Sequence, residues 1–301
     1  MAGKAVEVDV EGRRLRLTNL DKVLYPEAGF TKGQVIDYYT RAAPQLLEHL
    51  RGRALTLKRY PNGVEGGHFY EKQRPSHAPD WVESVAIETG DKMIDFVLCN
   101  DLPTLVWLAN LADLELHPSL AIASDPDVPT VLAFDLDPGP PAALLECCAV
   151  ALILRDAFEH LGLQCHAKTS GSKGMQIYVP LNGGAGYDVV KPFAHAIARL
   201  LERQHGDLIV SVMKKTVRAG KVFIDWSQNT RHKTTVGPYS LRSLAHPTVS
   251  TPLAWNEVEQ ADADGTAGHL VFSPGDVLER LEEHGDLFAG VLDTEQELPD
   301  L

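Results

Sequence analysis

Cysteine is scarce in this chain, and what there is lies in no ligand spacing. Cys99, Cys147, Cys148 and Cys165 are the four present. They form no CxxC pair and no Cys/His pattern, which argues against a structural disulfide and against a zinc module. Cys147 and Cys148 fall in the apolar run from Ala142 to Leu161, where a thiol acts as a small buried hydrophobe. Also missing are a signal-type or transit-type segment and any run of about eighteen apolar residues, so a soluble cytoplasmic protein with no membrane role is expected. No internal repeat or low-complexity linker interrupts the 301 residues, enough for one large or two intimate domains. The GxxxxGK[ST] phosphate loop is absent as well, which excludes a Walker-type nucleotide site.

Positive charge is the other absence, and it is local. After Arg242 there are thirteen Asp/Glu and a single basic residue, Arg280, so this segment holds twelve of the chain's thirteen net negative charges. It reads as a solvated helical surface. Between Lys168 and Arg242 the balance reverses: twelve Lys/Arg face four acids, Asp188, Glu202, Asp207 and Asp225. Such a basic stretch suits phosphate-rich ligands.

What is present begins with Val131-Leu-Ala-Phe-Asp135-Leu-Asp137-Pro-Gly139. Read as a strand of period two, it projects Asp135 and Asp137 from one face at the strand end. A hard divalent cation with open positions for phosphate oxygens is the simplest way to keep both ionised, while a plain DxDPG turn is the alternative. A second element, Lys168-Thr-Ser170-Gly-Ser-Lys173-Gly174-Met-Gln176-Ile-Tyr-Val-Pro180, is a small-residue loop followed by a strand. Its adjacent amides suit an anion nest, with Ser170 adding a hydroxyl and Lys173 a point charge; an ordinary hairpin turn is the alternative. Third, Lys221-Val-Phe-Ile-Asp225-Trp-Ser-Gln228-Asn229 brings another acid to a strand end. Three acids at two strand ends beside a phosphate-type loop point to phosphoryl or nucleotidyl transfer.

Together with Gly237-Pro-Tyr-Ser-Leu-Arg242, and with flanking matches from Leu17 to Trp255, these motifs resemble the bacterial primase-polymerases of the archaeo-eukaryotic primase superfamily. The resemblance is to the polymerase domain of ligase D and its stand-alone actinobacterial, ligase C-associated homologues. It implies an α+β fold: an RRM-like catalytic sheet, about residues 121–301, packed with an N-terminal α/β module, about 1–120, that reads DNA ends. Asp135, Asp137 and Asp225 would bind two divalent ions, Mn²⁺ or Mg²⁺, and no zinc. Lys58, His117, Ser170, Lys173, Gly174, Gln176, Gln228 and Arg242 match nucleotide-binding positions; at Gln176 much of the family has histidine, so a neutral amide replaces a group that can become cationic. Lys22 and Lys32 match lysines for a downstream 5′-phosphate, and Lys32 also sits at a helix N-terminus, which favours anions. Phe69 and Tyr70 match aromatics that stack on a template base, whereas their own composition reads as core.

The implied activity is template-dependent gap filling in DNA repair, with a bias to ribonucleotides. De novo priming and a catalytically silent DNA-end-binding module are the alternatives. No KxDG nucleotidylation motif is present, so sealing falls to a separate DNA ligase as partner, with Ku a further candidate and a monomer expected. Along the chain we read a strand pair near Val6–Leu17, a helix from Lys32 to Leu50 with a Thr31/Gln34 capping box and a kink at Pro44, and strands at 54–59, 68–71, 85–87 and 93–97. A helix at 104–111 and a strand at 114–117 follow. The second half reads strand 131–135, helix 142–161, strands 165–168 and 176–179, helix 189–205 and strand 222–224, with a last helix starting at Ser273-Pro274.

Overall fold

Thr31 closes a short strand and caps the helix Lys32–Leu50. Its hydroxyl accepts from the Gln34 amide at 3.3 Å while the Gln34 side chain accepts from the Thr31 amide at 2.8 Å, the reciprocal pair that Thr-x-x-Gln spacing predicts. The computed structural model describes residues 5–299, and in it this helix continues through Pro44. Val35, Tyr38, Tyr39, Ala42, Leu46 and Leu50 are all buried, the three- and four-residue spacing of a core-facing stripe. The helix read as starting at Thr104 spans Leu102–Asn110 instead. The Asp101 carboxylate accepts from the Thr104 amide at 2.9 Å, and Pro103 occupies the first turn, both favourable at an N-terminus.

The described residues form two units. The first contains the residues up to Ser119 together with Val236–Val249 and Ser273–Gly285. Its sheet is centred on strand Ala54–Arg59. Strand Asp113–Pro118 pairs along one edge; Phe69–Glu71 and Lys92–Leu98 share the other, with Ser84–Thr89 outside. A single boundary near residue 120 therefore describes only the first crossing of the chain, because two later segments return. Ser240 Oγ accepts from the Leu116 amide at 2.9 Å, the Tyr38 hydroxyl donates to the Tyr239 carbonyl at 2.8 Å, and the Leu241 amide donates to the Tyr39 hydroxyl at 3.0 Å. These bonds satisfy buried polar groups that would otherwise be left without partners. Helix Pro274–His284 also belongs to this unit, with Glu282 3.5 Å from Arg41.

The second unit contains Leu120–Thr235, Ser250–Phe272 and the residues from Asp286 on. Strand Val131–Pro138, helix Leu144–His160, strands His166–Thr169 and Met175–Pro180, helix Tyr187–Gln204 and strand Val222–Asp225 follow one another. Strand Val131–Pro138 lies centrally, antiparallel to Met175–Pro180 on one side and to Val222–Asp225 on the other. His166–Thr169 pairs outside Met175–Pro180, so the four strands stand in the order of a βαββαβ, RRM-like sheet. Ile209–Val210 and Pro252–Leu253 extend the two edges. Val131 to Phe134 are all buried, which explains an apolar run without alternation: both faces are covered until the strand reaches Asp135. Cys147 and Cys148 are buried free thiols, and no described helix is long and apolar enough to cross a membrane.

Candidate active site

Strand register assembles the second unit's site. Asp135 is directly opposite Asp225 on one neighbouring strand and opposite Gln176 on the other, and Gln176 is in turn opposite Lys168. Residues in one cross-strand row share a face, so Lys168, Gln176, Asp135 and Asp225 line up across four strands, with Asp137 two residues further along the same face. The side chains follow the row. Lys168, with no exposure, donates to Gln176 Oε1 at 2.5 Å and to Ser250 Oγ at 2.7 Å; Gln176 Nε2 donates to Asp135 Oδ1 at 3.0 Å. Gln176 is therefore a buried link between an ammonium and a carboxylate, with both ends of its amide engaged. Burial holds the Asp135 carboxyl above its ordinary range against the Gln176 hydrogen bond, and the neighbouring charges of Asp225 and Asp137 add to the shift while Lys168 opposes it.

Each of the other two carboxylates has its own donors. Asp137 pairs with Arg218 at 3.2 Å. Asp225 accepts from the Ser227 amide at 2.9 Å and hydroxyl at 2.5 Å, and from Gln228 Nε2 at 2.7 Å; Lys233 donates to the Ser227 hydroxyl at 2.5 Å. Asn229 fixes this turn to the central strand through both the amide and the carbonyl of Ala133, at 2.9 and 2.8 Å. Among the described residues no group of three or more His, Cys, Asp or Glu side chains forms a ready ligand cage, and each of the three carboxylates has a protein donor. Their chemistry nonetheless fits a hard divalent ion. The donors are carboxylate oxygens without thiol or imidazole, and the charged form of Asp135 is disfavoured by burial and then by the Asp225 and Asp137 charges, both of which a cation would offset.

The loop after Lys168 closes on itself. Ser170 Oγ accepts from the amides of Ser172 and Gly174 at 3.2 and 3.3 Å, and the Ser170 amide donates to the Gly174 carbonyl at 2.8 Å. The Ser172 and Gly174 amides are thus engaged with Ser170 itself, and the exposed Lys173 is the loop's outward charge. Gly174 has a packing reason of its own: a Cβ there would come 2.0 Å from the Leu136 carbonyl oxygen. Gly139 is equally constrained, 2.0 Å from the Arg218 carbonyl oxygen by the same construction, so the Asp-Pro-Gly turn seats the segment that carries Arg218.

The first unit carries a separate cluster of polar side chains. Lys58 is opposite Glu115 on one neighbouring strand and Tyr70 on the other, and His117 follows Glu115 by two residues. The Lys58 ammonium lies 5.8 Å from the Tyr70 ring centre, and the Tyr70 and His117 rings are 6.2 Å apart. Burial pushes His117 below its ordinary pKa against its hydrogen bond to Glu115. Phe69 is opposite Arg59, whose guanidinium sits 5.2 Å from its ring. Phe69 and Tyr70 are 43% and 59% exposed, which overturns their reading as core. As neighbours on a strand they face opposite sides, so only Tyr70 shares a face with Lys58 and His117.

Lys22 and Lys32 lie in the same unit. The Lys32 ammonium is buried, 2.9 Å from both the carbonyl and the side-chain oxygen of Asn110. Burial, then the nearby Lys22 charge, lowers its pKa to about 8. Lys22 Nζ donates to the Pro61 carbonyl at 2.5 Å. The helix N-terminus itself is not open to anions: the amides of Lys32 and Gly33 donate to the carbonyls of Lys22 and Leu20, each at 2.8 Å, and that of Gln34 to Thr31. Any anion affinity here rests on the ammonium groups. Glu115, Arg218, Asn229 and Lys233 were not singled out from sequence. Glu115 alone had a usable signal, the alternation Leu114-Glu115-Leu116-His117, which puts the acid and the imidazole on one strand face.

The sequence model of the family described as LigD, primase-polymerase domain, matches residues 31–288. The multifunctional non-homologous end joining protein LigD of Mycolicibacterium smegmatis is 42% identical over 278 residues, which are 92% of this chain and 36% of that protein. The bifunctional non-homologous end joining protein LigD of Bacillus subtilis is 31% identical over 274 residues, 90% of this chain and 43% of that protein. This chain thus spans well under half the length of these curated relatives. Among solved structures, the polymerase domain from Mycobacterium tuberculosis Ligase D in complex with DNA matches with a TM-score of 0.87 and 37% identity, covering 94% of this chain and 99% of that one.

Proposed function

The chain belongs to the family of LigD primase-polymerase domains, and from that premise we propose that it is a template-dependent nucleotidyltransferase filling short DNA gaps in end-joining repair. Gaps with a downstream 5′-phosphate are its preferred sites and ribonucleotides its preferred substrates. One observation carries the reading: Asp135 and Asp225 are opposed on paired strands with Asp137 two residues on, and Asp225 lies within the basic segment.

Asp135, Asp137 and Asp225 would hold two divalent ions, with Mn²⁺ favoured over Mg²⁺ by its stronger affinity. When bound, such ions acidify the primer 3′-hydroxyl and neutralise charge on the triphosphate. The remaining roles fall to the chain's own side chains. Lys168 and Gln176 orient Asp135, Ser227 and Gln228 orient Asp225, and Arg218 supplies countercharge to Asp137. Ser170 and Lys173 hold phosphate oxygens, with Gly174 allowing the loop its close approach. Lys58, His117 and Arg242 contact the nucleotide, and Tyr70 stacks on a template base. Lys22 and Lys32 bind the downstream 5′-phosphate. DNA ligase activity, with Ku at the ends, completes the repair, in the cytoplasm and with this protein as a monomer.

Labelled nucleotide incorporation tests the reading on three substrates: a gapped duplex with a 5′-phosphate, the same gap with a 5′-hydroxyl, and an unprimed single strand. The first should be extended best, and better with ribonucleotides. Extension of the unprimed strand alone would make the protein a primase; no incorporation on any substrate would leave an end-binding module.

A further inference from the structure

Glu115 is the most heavily engaged acid of the first unit. Its side chain is only 2% exposed. Oε1 accepts from Lys58 Nζ at 2.9 Å, from the Ser243 amide at 3.1 Å and from the Ser243 hydroxyl. Oε2 lies 3.0 Å from His117 Nε2 and 3.4 Å from Arg242 Nε. The Tyr60 hydroxyl, 2.5 Å from Ser243 Oγ, closes the group. Burial alone would raise the carboxyl pKa, but the bond from His117 and the Arg242 charge outweigh it and hold Glu115 well below the usual carboxylate range. One buried, ionised carboxylate therefore contacts four side chains from two segments of the unit, residues 58 and 117 on adjacent strands and residues 242 and 243 on the returning hairpin.

We propose that Glu115 is the positioning residue that fixes Lys58, His117 and Arg242 as one preorganised set for the nucleotide. This rests on the proposed function, which gives those three side chains their ligand. Two effects oppose each other. A carboxylate among cations weakens the field that attracts a triphosphate. Yet it also removes the mutual repulsion of the cations and restrains two long, flexible side chains, so less ordering remains to be done when the ligand arrives. The geometry favours the second effect, because Glu115 holds Lys58 Nζ at 2.9 Å and lies 3.4 Å from Arg242 Nε while itself fixed on a paired strand, so both cations are ordered before the ligand arrives.

A titration with a fluorescent ribonucleoside triphosphate and Mg²⁺, paired with gap-filling kinetics, tests this. Glu115→Gln keeps the shape, but its amide cannot accept at both oxygen positions. Nucleotide Kd and KM should rise by about tenfold, with kcat changed by less than about twofold, measured below a melting temperature that falls because a buried countercharge is lost. In an Arg242→Ala background the Glu115→Gln effect should be smaller than in the wild type, since one of the three side chains it orders is gone while Lys58 and His117 remain. Ser243→Ala, which retains the carboxylate and removes one of its donors, should weaken nucleotide binding in the same direction, and it decides the matter if Glu115→Gln does not fold. Unchanged or tighter nucleotide binding by the folded variants would overturn the proposal, as would an undiminished Glu115→Gln effect in the Arg242→Ala background. Wild-type protein that neither binds nor incorporates nucleotide would remove the functional reading along with it; normal wild-type binding confines any failure to Glu115.

Discussion

Lys168 carries its charge with no solvent exposure, and Gln176 connects that charge to Asp135. An amide serves both neighbours because its oxygen accepts from the ammonium while its nitrogen donates to the carboxylate. Gln176→Leu would leave both buried groups without this partner. We expect a stability loss of about 3 kcal/mol in urea unfolding, the scale of losing buried hydrogen bonds to charged groups, and extension at least about tenfold slower as Asp135 loses its orientation. Unaltered stability would mean the three groups do not act together. Lys32 offers a test by pH. Its folded pKa of about 8 lies below the ordinary lysine value of 10.5, so its ammonium is present at pH 7 and is lost as pH rises through 8. Preference for a 5′-phosphorylated gap over a hydroxyl-ended one should therefore decline from pH 7 to pH 9, and Lys32→Arg, which stays charged, should abolish that decline. Since the unfolded chain keeps its proton up to about 10.5, the burial penalty on Lys32 disappears between pH 8 and 10.5, and its contribution to stability improves over that window. A phosphate preference independent of pH in the wild type would exclude Lys32 as a reader of that group.

At the scale of elements, the helix Lys32–Leu50 separates capping from anion binding. Its first amides are taken by the protein itself, so Thr31→Ala should reduce stability by about 1 kcal/mol and leave the 5′-phosphate preference intact. Loss of that preference would mean the helix end takes part in binding. What the sequence made legible here was local. Thr31 and Gln34 disclosed their cap at fixed spacing, and Phe-Asp-Leu-Asp-Pro-Gly disclosed two acids at a strand end, because period and capping are properties of neighbouring residues. Pairing between distant strands leaves no such trace. That Asp225 stands opposite Asp135, or that Lys168 reaches Asp135 through Gln176, is decided by register across strands separated by up to 90 residues. Exposure of Phe69 and Tyr70 was hidden for a related reason: aromatic side chains on a strand read as core until the neighbours that fail to cover them are known.

At the scale of the whole molecule, the chain builds its two units by returning to the first one twice, with Val236–Val249 and Ser273–Gly285. This divides the acidic end of the sequence. Glu282 pairs with Arg41 in the first unit, at 3.5 Å, and Glu259 with Arg155 in the second, at 2.6 Å. These are exposed surface pairs of small individual worth, consistent with a solvated acidic surface. The basic residues from Lys168 to Lys233 remain with the second unit, the one that contains Asp135, Asp137 and Asp225. The central proposal is nucleotidyl transfer by this acidic trio, supported by family membership and by the opposed carboxylates. The most direct test is single-nucleotide incorporation on a 5′-phosphorylated gapped duplex by the wild type and by Asp225→Asn, with duplex affinity measured alongside. The variant should incorporate at least about a hundredfold more slowly, a loss of roughly 2.7 kcal/mol of transition-state stabilisation, and bind the duplex as tightly as the wild type. Incorporation by Asp225→Asn at near the wild-type rate would contradict the account.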